Sequence, residues 1–504
     1  MISLREIFLY NPSEPFLFTQ LAFWIYFVIV YIIFAFFHKN LKQRNAYLFL
    51  ISMFFYYKTG GLFVILLLFS IILNYSIALI IADTKDKGKK KKWLIAAVSA
   101  NLLILFYYKY TYFVAEWLGR LLGIHIRVED YLSIIGNNIF NAHMDVASIV
   151  LPIGVSFFTF QALSYVIDVY HQKIPPQKSI TDFGFYISFF PQLVAGPIVR
   201  ATEFLPQLKQ KFFITKNEFG HAIFLIMNGL IKKMVISDFI SLNFVDRVFE
   251  APHLYTGFEN LFAVYGYAIQ IYCDFSGYTD IALGLALLMG FRIPINFNSP
   301  YKATDLVDFW RRWHISLSSW LRDYLYIALG GNRKGQIRTH LNLLITMLLG
   351  GLWHGANIKF LIWGALHGFG LIVNKLFLHF QPKQLIVPLW QKVTGWLITF
   401  HFVCFAWIFF RADSINTAFS IISNIFNRID LSIAPEFIIQ YAATFSILFF
   451  GFLIHWLPAN WKEWYRGTFI QSSMVFKIFA VLIISLLIYQ FKTSDIQPFI
   501  YFQF

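Results

Sequence analysis

One histidine stands where an ionisable group is expensive. His354 lies in Gly350-Gly351-Leu352-Trp353-His354-Gly355-Ala356-Asn357, between the apolar runs 341–352 and 358–376. The small residues allow close backbone approach, and an imidazole at membrane depth needs a partner or a watered cavity. Histidine is also the side chain best suited to move a proton near neutral pH. The residues alone leave two readings of equal weight, a general base or a structural histidine bonded across helices. His367, in Trp363-Gly364-Ala365-Leu366-His367-Gly368, reads as structural. His314 has polar neighbours and reads as a second functional group or an interface residue.

His314 belongs to a run that does not resemble its surroundings. Asp308, Arg311, Arg312, Arg322 and Asp323 place five charges in sixteen positions. At the centre of a bilayer five charges would cost on the order of 15 kcal/mol, so an ordinary lipid-facing span is excluded. Taken as a helix, the run sorts into faces. Trp310, Trp313, Leu317, Trp320, Leu321 and Tyr324 make an aromatic face; Arg311, His314, Ser318 and Arg322 make a second. Asp308 is placed to pair with Arg311 or Arg312 one turn on. The pattern suits an interfacial anchor rich in Trp and Arg, or a segment dipping into a polar cavity. Upstream, Asp274 and Asp280 flank Phe275-Ser276-Gly277-Tyr278. They read as caps at a break between two half-helices, or as functional carboxylates.

The elements that must hold these residues are membrane helices. Of 504 residues, 58% are hydrophobic and 13% charged, with mean hydropathy +0.61, against roughly 25% charged in a soluble domain. Sixty Phe and fourteen Trp suit lipid and its interfaces. The net charge of +15 lies mostly in short loops, where the positive-inside rule explains it without nucleic acid. Cys273 and Cys404 are far apart in apolar settings and give neither a disulfide framework nor a metal site. There is no phosphate-binding loop, no His-Glu-x-x-His zinc motif and no Gly-x-Ser-x-Gly elbow.

Along the chain, apolar runs at 16–37, 46–57 and 62–82 precede the basic loop Lys85 to Lys92. With the basic loops on the cytoplasmic side, the amino terminus falls outside. A span at 93–108 follows, then a more polar stretch, 109–145, expected to leave the membrane. Span 146–167 carries Pro152 and Gly154 and is expected to kink; 183–199 is broken by Pro191, Gly196 and Pro197. Later spans fall near 218–240, 261–272, 278–291, 341–352, 358–376, 390–410, 437–457 and 474–491. The expectation is one all-α polytopic membrane bundle over residues 1–504, with about eleven spans and interfacial or re-entrant helices.

Several long motifs then occur in a familiar order. Asp308-Phe309-Trp310-Arg311-Arg312-Trp313-His314-Ile315-Ser316-Leu317-Ser318 is followed by Trp320-Leu321-Arg322-Asp323-Tyr324-Leu325-Tyr326, Leu352-Trp353-His354-Gly355-Ala356-Asn357, Trp363-Gly364 and His367-Gly368. Leu151 to Gln161, Phe190 to Ile198, Phe409-Phe410-Arg411-Ala412 and Phe499 to Phe504 belong to the same set. From about residue 150 onward the chain resembles the membrane-bound O-acyltransferase (MBOAT) family, in its bacterial branch of alginate O-acetylase membrane subunits and peptidoglycan O-acetyltransferases. Ile358-Lys359 departs from the aromatic residue relatives often carry after Asn357.

The resemblance implies the MBOAT fold and makes His354 the catalytic histidine, with His314 supporting or positioning substrate. Trp353, Asn357 and Asp308 are expected in the substrate or donor site, and Arg311, Arg312 and Arg322 are expected to bind the donor phosphates. It implies transfer of an acyl group, foremost acetyl, from a cytoplasmic thioester to an extracytoplasmic polysaccharide hydroxyl. The donor would be acetyl-coenzyme A or a phosphopantetheine carrier-protein thioester, with no bound cofactor or metal. Expected partners are the bilayer, a separate extracytoplasmic transferase and a cytoplasmic acyl carrier, in a bacterial inner membrane. The alternatives are D-alanyl transfer to teichoic acid, and a transporter of acyl donor or glycan.

Overall fold

The computed structural model describes residues 9–11, 16–140, 145–380, 388–491 and 498–500. Phe499 and Ile500 of the terminal motif are therefore described, and its last four residues lie outside. The described residues form helices, with no strand among them. Five helices are long and apolar enough to cross a membrane. They become six if Ala434–Gln440 and Ala442–Trp456, bent by 89° at their junction, make one span. Shorter apolar helices include Leu21–Phe37 and Val155–Tyr170. By length and composition, the expected eleven spans are not reached among the described residues.

Several helix boundaries differ from the sequence reading. The chain does not leave its helix after Tyr108. Asp86 caps the start of Lys87–Leu122, and Gly123 ends it at φ +67°. The result is a helix of 36 residues, about 54 Å long against a hydrocarbon layer of about 30 Å. Polarity after Tyr108 ended the apolar run without supplying a helix breaker. Pro152 and Gly154, expected to kink a span, lie ahead of the helix Val155–Tyr170, with Gly154 at φ +76°.

Nor is there a break at Asp274–Asp280. Gly257–Leu288 is one helix of 32 residues, begun by a Thr256–Glu259 capping box. Gly277 serves packing: a Cβ there would lie 2.8 Å from the Gly229 carbonyl oxygen. The two carboxylates are ion-pair partners, not caps. Lys233 Nζ is 2.6 Å from Asp274 and 2.7 Å from Asp238, and Lys232 Nζ is 2.7 Å from Asp280. Both lysines sit on the π-helical turn Ile231–Ser237. Lys233 also donates to the Pro498 carbonyl, while Asp274 accepts the Ile500 N–H at 2.9 Å. The end of the described chain is thereby tied into the bundle.

The helices Gln336–His354 and Ile358–Phe380 are joined by three residues. A Cβ on Gly351 would lie 2.2 Å from the Phe360 carbonyl oxygen, and one on Gly364 2.4 Å from that of Met347. Backbones meet this closely only where side chains are absent, as is common between membrane helices. Gly364→Ala is therefore expected to force the pair apart. The variant should show a lower unfolding temperature and less folded protein in the membrane, measured by thermal scanning of purified full-length chain against wild type.

Candidate active site

The charged run is three short elements: Leu306–Arg312, Ile315–Trp320 and a π-helical turn Leu321–Tyr326. The break falls at His314, which adopts φ +43° and ψ 54°. That conformation costs energy in a residue with a Cβ, so its surroundings must hold it. Ile315 N–H donates to the Asn296 carbonyl at 3.0 Å and Ser316 N–H to Asn296 Oδ1 at 3.2 Å. Ser316 Oγ accepts the Ile198 N–H at 3.0 Å. Trp320 stacks on Phe160 at 3.8 Å and donates to its carbonyl. The single helix with two faces is thus corrected: the break turns His314 inward, fully buried.

His314 and His354 come together across one indole. Trp353 lies 6.0 Å from the His314 ring and 5.1 Å from that of His354. His314 packs on Phe275 at 4.7 Å; His354 packs on Trp363 and Phe410 at 5.1 and 5.2 Å. Both imidazoles are almost wholly out of reach of solvent.

Lys109 was missed by sequence reasoning. Its ammonium donates to the carbonyls of Trp353 at 2.5 Å and His354 at 3.2 Å, and to Ser156 Oγ at 3.4 Å. Tyr110 Oη donates to the Leu352 carbonyl at 2.8 Å. The long helix Lys87–Leu122 therefore holds the last carbonyls of the histidine helix. These carbonyls have no intrahelical partner and carry the negative end of the helix dipole. A lysine embedded in an aromatic, apolar stretch was the available signal.

Two cavities approach from opposite ends of the 336–380 hairpin. One, of about 660 Å³, is lined by Lys109, Asp274, Gly355, Asn357, Lys359 and Arg411 among others. Asn357 stands at its edge and accepts the Lys359 N–H, capping the following helix. The other, of about 570 Å³, is walled by Trp310, Met347 and Leu371 with Arg311, Arg322 and Lys375. Arg311, Ser318 and Arg322, read as one face, do share it. Arg312 is engaged elsewhere, with Asp308 at 2.8 Å and the Asn298 carbonyl. Asp308 thus found the second of its two expected partners. Arg322 contacts Asp323, itself 3.3 Å from Arg200. Lys375 was not anticipated.

A bundle of apolar helices that buries two histidines close to a polar cavity and a largely apolar one suits chemistry carried out within a membrane. The chain belongs to the membrane-bound O-acyltransferase family, whose sequence model matches residues 49–418. It is an acyltransferase of that class. It is 32% identical to the peptidoglycan O-acetyltransferase of Helicobacter pylori, over 100% of this chain and 99% of that protein. It is 37% identical to the probable alginate O-acetylase AlgI of Pseudomonas aeruginosa, over 77% of this chain and 70% of the relative. A teichoic acid D-alanyltransferase of Bacillus subtilis is 30% identical over 51% of this chain and 68% of its own length.

Proposed function

We propose that this membrane O-acyltransferase moves acetyl from a cytoplasmic thioester to a hydroxyl destined for an extracytoplasmic polysaccharide such as peptidoglycan or alginate. The observation that carries the reading is that His354 adjoins Gly355 of one cavity and packs on Trp363, which touches Trp310 of a chemically different one. The Arg311 cavity joins apolar walls to three cations. That pairing suits a phosphopantetheine thioester, whether on coenzyme A or on a carrier protein, because the arm is thin and its phosphate anionic. Arg311 and Arg322, with Lys375, would hold the phosphate end. The Lys109 cavity is polar and reaches the turn that follows His354, as a hydroxyl acceptor requires.

In the reaction, His354 takes the proton of the accepting hydroxyl while its oxygen bonds to the thioester carbonyl carbon. The C–S bond breaks, and the proton departs with the thiolate. His314, across Trp353, supports that geometry. The near full-length match to the peptidoglycan enzyme favours acetyl over D-alanyl, since the D-alanyl relative covers half the chain. A separate extracytoplasmic transferase would finish the modification. A bacterial inner membrane with the amino terminus outside fits this direction of transfer.

The test is ester-linked acetate on each envelope polysaccharide, compared between wild type and a deletion strain. Loss from one polysaccharide supports the reading and names the acceptor; unchanged acetate on all of them overturns it.

Lys109 acts here as a positioning residue. Lys109→Met is expected to lower kcat by about 10²-fold by letting the His354 helix end shift, with KM for the donor little changed. Lys109→Arg, which keeps a cation on the same carbonyls, should recover much of the rate. Equal loss in both variants, or a rise in KM alone, would count against this role.

A further inference from the structure

Between the Arg311 cavity and His354 lies a cluster of hydrogen-bond donors. His367, expected to be structural, is fully buried, and Trp363 nearly so. Among the described residues, neither ring nitrogen of His367 has a hydrogen-bond partner, nor does the indole Nε1 of Trp363 or Trp310. The three rings form a close triangle: His367 is 4.7 Å from Trp363 and 5.1 Å from Trp310, and the two indoles are 5.7 Å apart. Phe309 and Phe402 close the sides at 6.1 and 5.8 Å.

Buried indole and imidazole N–H groups normally find an acceptor. An indole has only a donor to offer, and an imidazole always carries at least one. The cluster is therefore rich in donors, and its complement is an acceptor-only oxygen. Its position says which oxygen. Trp310 also lines the Arg311 cavity, as does Leu371, one turn beyond His367. On the other side Trp363 packs against His354. A phosphate entering the cavity meets Arg311, Arg322 and Lys375, whereas the apolar surroundings of the triangle suit a neutral carbonyl.

We propose that Trp310, Trp363 and His367 form a subsite for the carbonyl oxygen of the acyl thioester. The inference deepens the acyltransfer reading above and rests on it. When the acceptor oxygen adds to the carbonyl carbon, that oxygen gains negative charge. Donors already aimed at it in a water-poor site stabilise the change without reorganising. The subsite thus does two things: it sets the thioester beside His354 and polarises its carbonyl.

The test uses membranes of the deletion strain carrying each full-length variant at equal level. Radiolabelled acetyl-coenzyme A is supplied over a concentration range, and label in polysaccharide is followed. His367→Leu and Trp363→Phe are expected to lower kcat by about 10²-fold each, as loss of one donor at such a site does. KM for acetyl-coenzyme A should stay within roughly threefold. The His367→Leu chain should unfold at no lower temperature than wild type, because a buried polar group without a partner has been replaced by an apolar one. His367→Gln, which keeps an N–H, should recover part of the rate.

Full kcat in both His367→Leu and Trp363→Phe overturns the subsite. That result is also expected if the N–H groups are satisfied by edge-on contact with neighbouring rings. Loss of kcat in step with loss of folded protein, unrelieved by His367→Gln, overturns it too. Wild-type membranes that incorporate label neither from acetyl-coenzyme A nor from an acetylated carrier protein overturn the donor reading, and the subsite with it.

Discussion

Replacing His354 with alanine should remove ester-linked acetate from the modified polysaccharide, with transfer falling by about 10²- to 10⁴-fold, the range a general base supplies. The effect should appear with the protein inserted at wild-type level, because His354 is held by ring contacts and by the backbone of its helix, which alanine leaves in place. Trp353, Trp363 and Phe410 surround the imidazole, and Lys109 grips the main chain at positions 353 and 354. His354→Gln separates the roles further: it keeps polar atoms near the same volume but cannot accept a proton as imidazole does. A proton-transfer role requires both variants to fail. A transporter would need no titratable group there, so retained acetylation in His354→Ala at normal protein level would remove the mechanism and leave the deletion phenotype to be explained otherwise.

The second large effect concerns stability. Lys233→Met should destabilise the fold by about 3–5 kcal/mol, because it leaves buried carboxylates without their cation. The Lys233 and Asp274 side chains are only 2% and 1% exposed, and the same ammonium also meets Asp238. Lys233→Met should therefore lower the unfolding midpoint of the purified chain by on the order of 10 °C. Asp274→Asn should cost less, since Lys233 keeps Asp238. In the double variant Lys233→Met with Asp274→Asn the penalties should not add, and part of the stability should return. Strict additivity would mean that the pair contributes nothing as a pair. Because Asp274 also holds the Ile500 N–H, the single variants should in addition loosen the end of the chain, measurable as faster amide exchange at Ile500.

Much of this was legible one residue at a time. The isolated His354 among glycines and tryptophans, and five charges crowded into an apolar chain, follow from the cost of polar groups in hydrocarbon. That cost acts on composition and does not wait for the fold. The order of the motifs carried the resemblance that the comparison with known proteins bore out. Asp308 with Arg312 was readable for a similar reason, since helical spacing alone brings such a pair together.

What the sequence could not supply was the identity of partners distant in the chain, and the places where helices stop. Asp274 and Asp280 were read against their own neighbours as caps, while the lysines that hold them lie about forty to fifty positions away. His314 was placed on a helical face because periodicity assumes an unbroken helix; the residues after the break are held by Asn296 and Ile198, distant in the chain. Lys109 reaches His354 across 245 positions. His367 looked structural because its spacing puts it inside an oily helix, and only the assembled triangle with Trp310 and Trp363 makes it a site. By itself, the sequence determined a membrane-embedded chain with one histidine worth testing, because burial cost and local spacing are properties of residue types. The tertiary structure decided which cations guard which cavity and which donors face one another, because those depend on contacts between helices that no local pattern encodes.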